Sequence, residues 1–562
     1  MENLFELSKD GKSITKIFDD RTIVIIPDGI VELDLSIFYH CKSLQTLVIP
    51  KSIEKITLLF SDCEKLEDII IDEDNSFFKS INGVLFNKDC TKLVRFPKGK
   101  KVYEYAIPQT VEVIGAHAFH DCVYLKSLEA NSNSLKVIGD WAFCGCKNLL
   151  DVQLPSDMDY IGEWAFGNCF ELRNINIPKG LKKISNYVFS GSKIESAIIP
   201  IGVTKICDNA FSGCKNLVSV EIPNTVESIG VASFGGCGFS HLTIPNSVKE
   251  IFHWAFHRSA LQEVEIPNSV AKIGNNAFDQ CVSLESCKLP ISINYLAEGT
   301  FKDCTSLTSI DLPSSVIYIG EHAFENCTAL KDIDLSNNIL KIDYYAFGGC
   351  TNLLRINLPQ NLKQLNNYAF MNCSSLEAIV SHNMSNHFIS IDGVLFNKQK
   401  TILIKYPEAK KGRTYTIPNG VEHIGIYALS KCSNLEEVIL SDTVIEIGDM
   451  AFLGSKNLSK IHMSENLKII GESLFDGCIS LKEITIPSNV KEIKDFVFIQ
   501  DLKSLKAIHS KITNLNDVII SSACFYESEF DNVTLYVPSG TRWDYKNHPY
   551  WGQYKHIEIE DN

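Results

Sequence analysis

A phenylalanine returns every 22 or 23 residues along most of this chain, and no other feature constrains the fold as strongly. It stands at Phe143, Phe166, Phe189, Phe211, Phe234, Phe256, Phe278, Phe301, Phe324, Phe347 and Phe370. A second run holds Leu429, Phe452, Phe475 and Phe498, and earlier units sit at Phe38, Phe60 and Phe119. The register amounts to about 18 units in 562 residues. A chain of this length would ordinarily divide into three or four globular domains. A repeat overrides that expectation, because stacked units bury their apolar faces against one another rather than in one enlarged core.

Each unit reads x-A-F-x-x-C-x-x-L-x-x-I-x-I/L-P-x-x-[VL]-x-x-I. The L-x-x-I-x-I segment alternates as a half-buried strand does. In the unit from Phe301, Leu307, Ile310 and Leu312 face inward, while Thr308 or Ser309 and Asp311 face out. Pro313 stops the strand, since proline has no N–H for a ladder. Val316–Ile319 returns along the far side, and Ala323-Phe324 opens a tight or short helical turn whose ring enters the core. Stacking such units places parallel strands about 4.8 Å apart.

Two steps of 59 residues, Phe60 to Phe119 and Phe370 to Leu429, break the register with the same text. The sequence from Phe77 recurs from His387 at an offset of 310. Gly393–Phe396 and Ile402–Ile404 flank the polar Asn397–Lys400, which is a β-hairpin pattern. Each hairpin either elaborates the stack or projects as a lysine-tipped finger. The expected organisation is a solenoid over 1–525, with insertions at about 72–106 and 382–416, and a C-terminal cap over 526–562. That tail gathers Tyr536, Trp543, Tyr545, Tyr550, Trp551 and Tyr554, as the exposed end of a solenoid requires.

The 68 acidic and 53 basic residues give a net charge of −15. Nucleic-acid binding needs a clustered basic face, so that class is excluded, as is docking on anionic lipid. No apolar run approaches the ~20 residues of a membrane helix. Glu2, Glu6, Asp10, Asp19 and Asp20 occupy the start, where a secretory leader would carry basic and then apolar residues. On that reading the chain is expected to be unexported.

Fourteen of the 19 cysteines fall at one repeat position, where Ser192, Ser259 and Ser455 substitute. A serine fits a small buried slot but replaces neither a disulfide partner nor a zinc thiolate, so the thiols read as a buried ladder. The residue before Ala-Phe collects Trp141, Trp164, Tyr187, Trp254, Tyr345 and Tyr368, either as ladder packing or as a stacking platform. The outward strand position gives Glu221, Thr243, Glu265, Lys288, Asp311, Asp334 and Asn357, with Glu263 and Asp332 beside it. Glu221, Glu263, Glu265, Asp311, Asp332 and Asp334 therefore form an acidic strip, which is either a solvated face or a docking surface for a protein with a basic surface. His253 and His257 bracket Trp254 without a third ligand, and no metal or cofactor is expected. No P-loop, G-x-S-x-G, H-E-x-x-H or dinucleotide fingerprint is present, so no catalytic residue is assigned.

The A-F-x-x-C-x-x-L core, the D-G-V-L-F-N-K segment at Asp392–Lys398 and the L-Y-V-P-S-G-T segment at Leu535–Thr541 resemble the BspA-like leucine-rich-repeat proteins, a subclass also known from the treponemal leucine-rich-repeat protein. The resemblance covers nearly the whole chain. The expected fold is an α/β solenoid, a leucine-rich-repeat right-handed superhelix with a concave parallel β-sheet and two β-hairpin insertions. The resemblance implies protein binding and adhesion to host or matrix proteins at a cell surface. The absent leader and the unpaired thiols imply instead an intracellular interaction scaffold, and an enzyme with an unrecognised site is the remote alternative.

Overall fold

The computed structural model describes residues 4–18, 20–57, 63–130, 133–498, 502–525 and 531–560. The expected anchor Phe60 lies outside them, as do Glu2 and Asp19. The chain divides into two compact units, Met1–Ser292 and Ile293–Asn562.

Each repeat of the first unit contributes to three columns. The L-x-x-I-x-I segments form the long strands, which pair in parallel with one-repeat register: Glu104↔Ser127 and Ser127↔Asp151, then His241↔Glu263 and Glu263↔Ser286. The V-x-x-I segments form two-residue strands, as in Lys205↔Ser228, Ser228↔Glu250 and Glu250↔Lys272. The Ala-Phe turns form the third column. There the N–H of Phe143 donates to the Ala165 carbonyl at 2.8 Å, and that of Phe166 to Val188 at 2.9 Å. The second unit repeats the scheme, with two-residue strands in a four-stranded sheet and, beyond the insertion strands, in an eight-stranded one, and with long strands such as Glu437–Ile439 and Lys460–His462.

The core is a stack of rings. Phe143 and Phe166 lie 5.1 Å apart at 1°, Phe211 and Phe234 5.5 Å at 3°, and Phe324 and Phe347 5.4 Å at 9°. Beside the rings runs the thiol ladder. The Cys146 Sγ donates to the Phe119 carbonyl at 3.0 Å, Cys169 to Phe143 at 3.1 Å and Cys350 to Phe324 at 3.2 Å. The Ser455 hydroxyl makes the same bond to the Leu429 carbonyl at 2.8 Å. The slot thus demands a small donor, which explains why serine replaces cysteine there and why no disulfide is needed. None of the 19 cysteines forms a disulfide, and Cys90 alone among them is not buried. Burial raises the Cys122, Cys281 and Cys350 thiols to about 12, so they stay protonated and unreactive. Titration of the native protein with a thiol reagent is therefore expected to count about one thiol, at Cys90, against all of them after denaturation. Rapid native labelling of several cysteines would contradict this packing.

The helical share of the expected solenoid is small. One α-helix occurs among the described residues, Arg542–Asn547. In the repeats, helix is blocked at the turn, where the residue before Ala-Phe takes a left-handed backbone: φ is 60° at Trp141, 57° at Trp164 and 56° at Tyr187. Bulky residues rarely accept that region. Here each such N–H reaches the next repeat, as from Trp141 to the Glu163 carbonyl at 2.8 Å. A helix would turn those N–H groups back on their own repeat.

The insertions stay within the stack. Phe388–Ile391, Val394–Asn397 and Ile402–Lys405 form an antiparallel meander, and the third strand pairs in parallel with His423–Ile424. The first insertion does the same, with Lys92–Arg95 against Val113–Ile114. Asp392-Gly393, with φ of 47° and 76°, makes the two-residue turn, as Asn82-Gly83 does in the first copy. Val394, Leu395 and Phe396 are fully buried, so the sheet face is spent on packing rather than on a projecting finger.

A charge cluster closes the first insertion. Lys98 pairs with Asp121 at 3.2 Å, and His120 Nδ1 lies 3.2 Å from the same carboxylate. Burial opposes ionisation of Asp121, but the His120 and Lys98 contacts outweigh it and hold the carboxyl down to about 2. Its folded value lies below the ordinary 3.8, so the stabilisation is present above about 3.8 and is lost as pH falls toward about 2. Asp121→Asn is expected to lower the melting temperature at pH 7, and thermal melts across acid pH should show that gap narrowing below about 3.8. Asparagine tolerates the left-handed backbone at 121, so a gap independent of pH would contradict the electrostatic origin.

Candidate protein-binding face

Alternation along the long strands sends one side chain inward and the next into solvent, which builds a continuous outward face on each ladder. In the first unit that face carries Glu221 on Ser219–Glu221, and Glu263 and Glu265 on Glu263–Glu265. All three are exposed. The strip is not uniformly acidic, because Thr243 and Lys288 flank Glu265 in register. Glu265 bonds Lys288 at 2.6 Å, an exposed pair worth about 0–1 kcal/mol. Glu221 and Glu263 make no ion pair among the described residues.

Two clefts open on this face. The first, of about 730 Å³, is apolar and lined by Ile177, Ile198, Ile201 and Ile222, with Glu221 and Lys179 at its rim. Ile198 is 65% exposed, Ile201 82% and the neighbouring Val218 62%. The second, of about 590 Å³, is polar and lined by Thr243, Asn246, Glu265, Asn268 and Lys288. The first coincides with a break in the ladder: Asn174–Ile175 ends one sheet and Ser196–Ile198 begins another. There the Ser192-Lys193-Ile194 turn is one residue shorter than Cys214-Lys215-Asn216-Leu217. The Asn176 side chain turns back instead, donating to the Leu154 carbonyl at 2.7 Å and accepting from its N–H at 2.8 Å.

In the second unit, Asp311, Asp332 and Asp334 are exposed and make no ion pair among the described residues. Residues 308–311 and 331–334, expected as strands, form none beyond a single bridge at Asp311, although Ile310 and Ile333 are still buried at 5% exposure. Matching positions of successive repeats carry like charges here, and like charges directly opposite destabilise a ladder.

The aromatic column is packed rather than open. Trp141 and Trp164 stack at 4.9 Å and 15°, and Trp164 and Tyr187 at 4.3 Å and 7°, so the rings cover one another's faces. Tyr345 and Tyr368 stack at 5.8 Å in the second unit. Trp254 stands apart, 45% exposed. His253 Nδ1 accepts the Asn275 N–H at 2.8 Å, while His257 faces Asp279 at 3.0 Å, so the two histidines are engaged separately. Among the described residues no group of three or more potential ligands is placed to hold a metal, and no helix is long and apolar enough to cross a membrane.

The outward acidic residues were legible from alternation, but the apolar cleft was not singled out. Its signal lay in S-A-I-I-P-I, which puts Ile198 where the neighbouring repeats place the polar Gln153, Asn176, Glu221 and Thr243, and in the shortened turn beside it.

A family profile described as the BspA type leucine rich repeat region, in 6 copies, matches residues 15–106, 96–218, 204–328, 295–410 and 406–531. The chain belongs to this family. Solved structures similar to this BspA-type chain include a leucine-rich repeat protein of Eubacterium ventriosum, at 25% identity and TM-score 0.39, covering 47% of this chain and 82% of that one. Another, from Bacteroides ovatus, has 23% identity and TM-score 0.40 and covers 86% and 97%. The pneumococcal vaccine antigen PcpA has 19% identity and TM-score 0.36 and covers 87% and 98%. No curated protein matches.

Proposed function

We propose that this BspA-type chain is a non-catalytic scaffold that holds a protein partner with a basic surface on the outward face of its long strands. The observation that carries the reading is the apolar cleft around Ile198, lined in part by the exposed Glu221, with the exposed Glu263 three strands further along the same face. Large exposed aliphatic side chains grouped on one face mark interaction surfaces. The unpaired carboxylates add steering and choice of partner. Charge reversal of Glu221, Glu263 and Glu265 together is expected to weaken capture of a basic partner at least about tenfold while leaving the melting temperature nearly unchanged. Reversal of Asp311, Asp332 and Asp334 tests the second unit's share in the same assay. Unchanged capture in both variants would remove the acidic positions from the account.

Adhesion to host or matrix proteins is the biological form that family membership favours. Protease shaving of intact cells tests it, and complete protection of the protein inside the cells would overturn it. The 19 cysteines, none in a disulfide, favour a second reading, an interaction scaffold in a reducing compartment. Cell fractionation separates the two.

A further inference from the structure

We infer that the first unit's outward face takes an extended segment of a partner protein crossing its strands, with one aliphatic anchor in the Ile198 cleft and lysine or arginine at the second and fourth residues beyond it. This rests on the reading that the outward face binds protein, and it adds the partner's chemistry and spacing. The anchor follows from the cleft, whose walls are the aliphatic side chains of Ile177, Ile198, Ile201 and Ile222. A polar or charged side chain placed there would lose its water without gaining a partner.

The charges fix the direction of the segment. At the rim on the side of the preceding repeat stands Lys179, exposed. On the side of the following repeats stand Glu221 and Glu263, both exposed and unpaired. A basic segment is repelled on one side and attracted on the other. The spacing follows from geometry. Successive strands lie about 4.8 Å apart and a strand rises about 3.3 Å per residue, so Glu221, the register partner of Ile198, is about 5 Å from it, and Glu263, three strands on and two residues back along its strand, about 16 Å, the last few ångströms of which a lysine side chain spans. An extended chain rises about 3.3 Å per residue and sends alternate side chains to one side. Residues two and four beyond the anchor therefore reach about 7 and 13 Å, on the same side as the anchor. Glu265 already holds Lys288, which leaves Glu263 as the free acceptor on its strand.

The test uses the full chain and a fluorescein-labelled peptide, Gly-Ser-Leu-Ser-Lys-Ser-Lys-Ser-Gly, read by fluorescence polarisation. Binding is expected, weakening as salt rises because the pairs are exposed. Ile198→Asp and Glu221→Lys are each expected to weaken it at least about tenfold. Glu112→Lys, on the short-strand side, should leave it unchanged. Both face positions are exposed, and melting curves verify that the variants fold. Peptides with serine for leucine, or glutamate for both lysines, should not bind. No binding to the wild-type chain up to about 1 mM, or binding indifferent to Ile198→Asp and Glu221→Lys, overturns the inference. If the peptide fails while the triple-glutamate reversal still abolishes partner capture, the binding face stands and only this spacing falls.

Discussion

Phe234→Ala is expected to lower the unfolding free energy of the first unit by about 3–5 kcal/mol. Phe234 is fully buried between Phe211, 5.5 Å away, and Phe256, 5.9 Å away, with Phe239 edge-on at 5.8 Å. The cavity cannot close easily. The backbone on either side is fixed by the Phe211 N–H on the Ser233 carbonyl and the Phe234 N–H on the Ala255 carbonyl, at 2.8 and 2.9 Å. The Cys237 thiol holds the Phe211 carbonyl at 3.3 Å as well. A repeat chain is only as strong as its weakest interface, so the loss falls on one seam and splits the unit's cooperativity. Urea unfolding followed by circular dichroism reads it. Phe234→Leu should recover most of the loss, and a cost below about 1 kcal/mol for alanine would show that the ring stack is not the main source of stability.

Ending the chain after residue 531 is expected to be the most damaging truncation. It removes Thr534–Pro538 and His556–Glu560, which continue the parallel ladder beyond Ala507–Ser510. It also removes Tyr545 and Trp551, both fully buried. Trp551 packs edge-on to Phe525 at 4.6 Å, and the Tyr545 hydroxyl donates to the Ile512 carbonyl at 2.9 Å. Without them Phe498, Ile508 and Phe525 meet water, and an open strand edge recruits other chains. Sedimentation should show association of the shortened chain and melting an earlier onset. Trp551→Ala alone should cost about 3–5 kcal/mol. A shortened chain that stays monomeric with an unchanged melt would deny the tail a capping role.

The sequence carried the ladder because one phenylalanine per turn is a packing demand, and packing demands repeat. The cysteine slot was legible for the same reason: Ser192, Ser259 and Ser455 revealed its size before the Phe carbonyl revealed its chemistry. Asn82-Gly83 and Asp392-Gly393 are the turn type of a two-residue hairpin, yet the strands preceding them, Phe78–Ile81 and Phe388–Ile391, are harder to read because each is only four residues long and carries a polar interior, Lys79-Ser80 in one and Ser390 in the other. The left-handed aromatics were invisible for a different cause. Backbone handedness there is imposed by hydrogen bonds to the next repeat, against the preference of tryptophan and tyrosine. The acidic positions came directly from alternation. The apolar cleft required comparing one repeat with its neighbours and noticing a missing residue.

The central claim is that partners are held by the outward face of the long strands in the first unit. A photo-crosslinking side chain at Thr243, exposed between Glu221 and Glu265 on that face, measures it most directly. The same side chain at Glu112, exposed beside the short strands, is the control. A partner joined from position 243 and not from 112, and lost on Glu221→Lys with Glu263→Lys, is the expected result. Equal crosslinking from both positions, or crosslinking from 112 alone, would contradict the account.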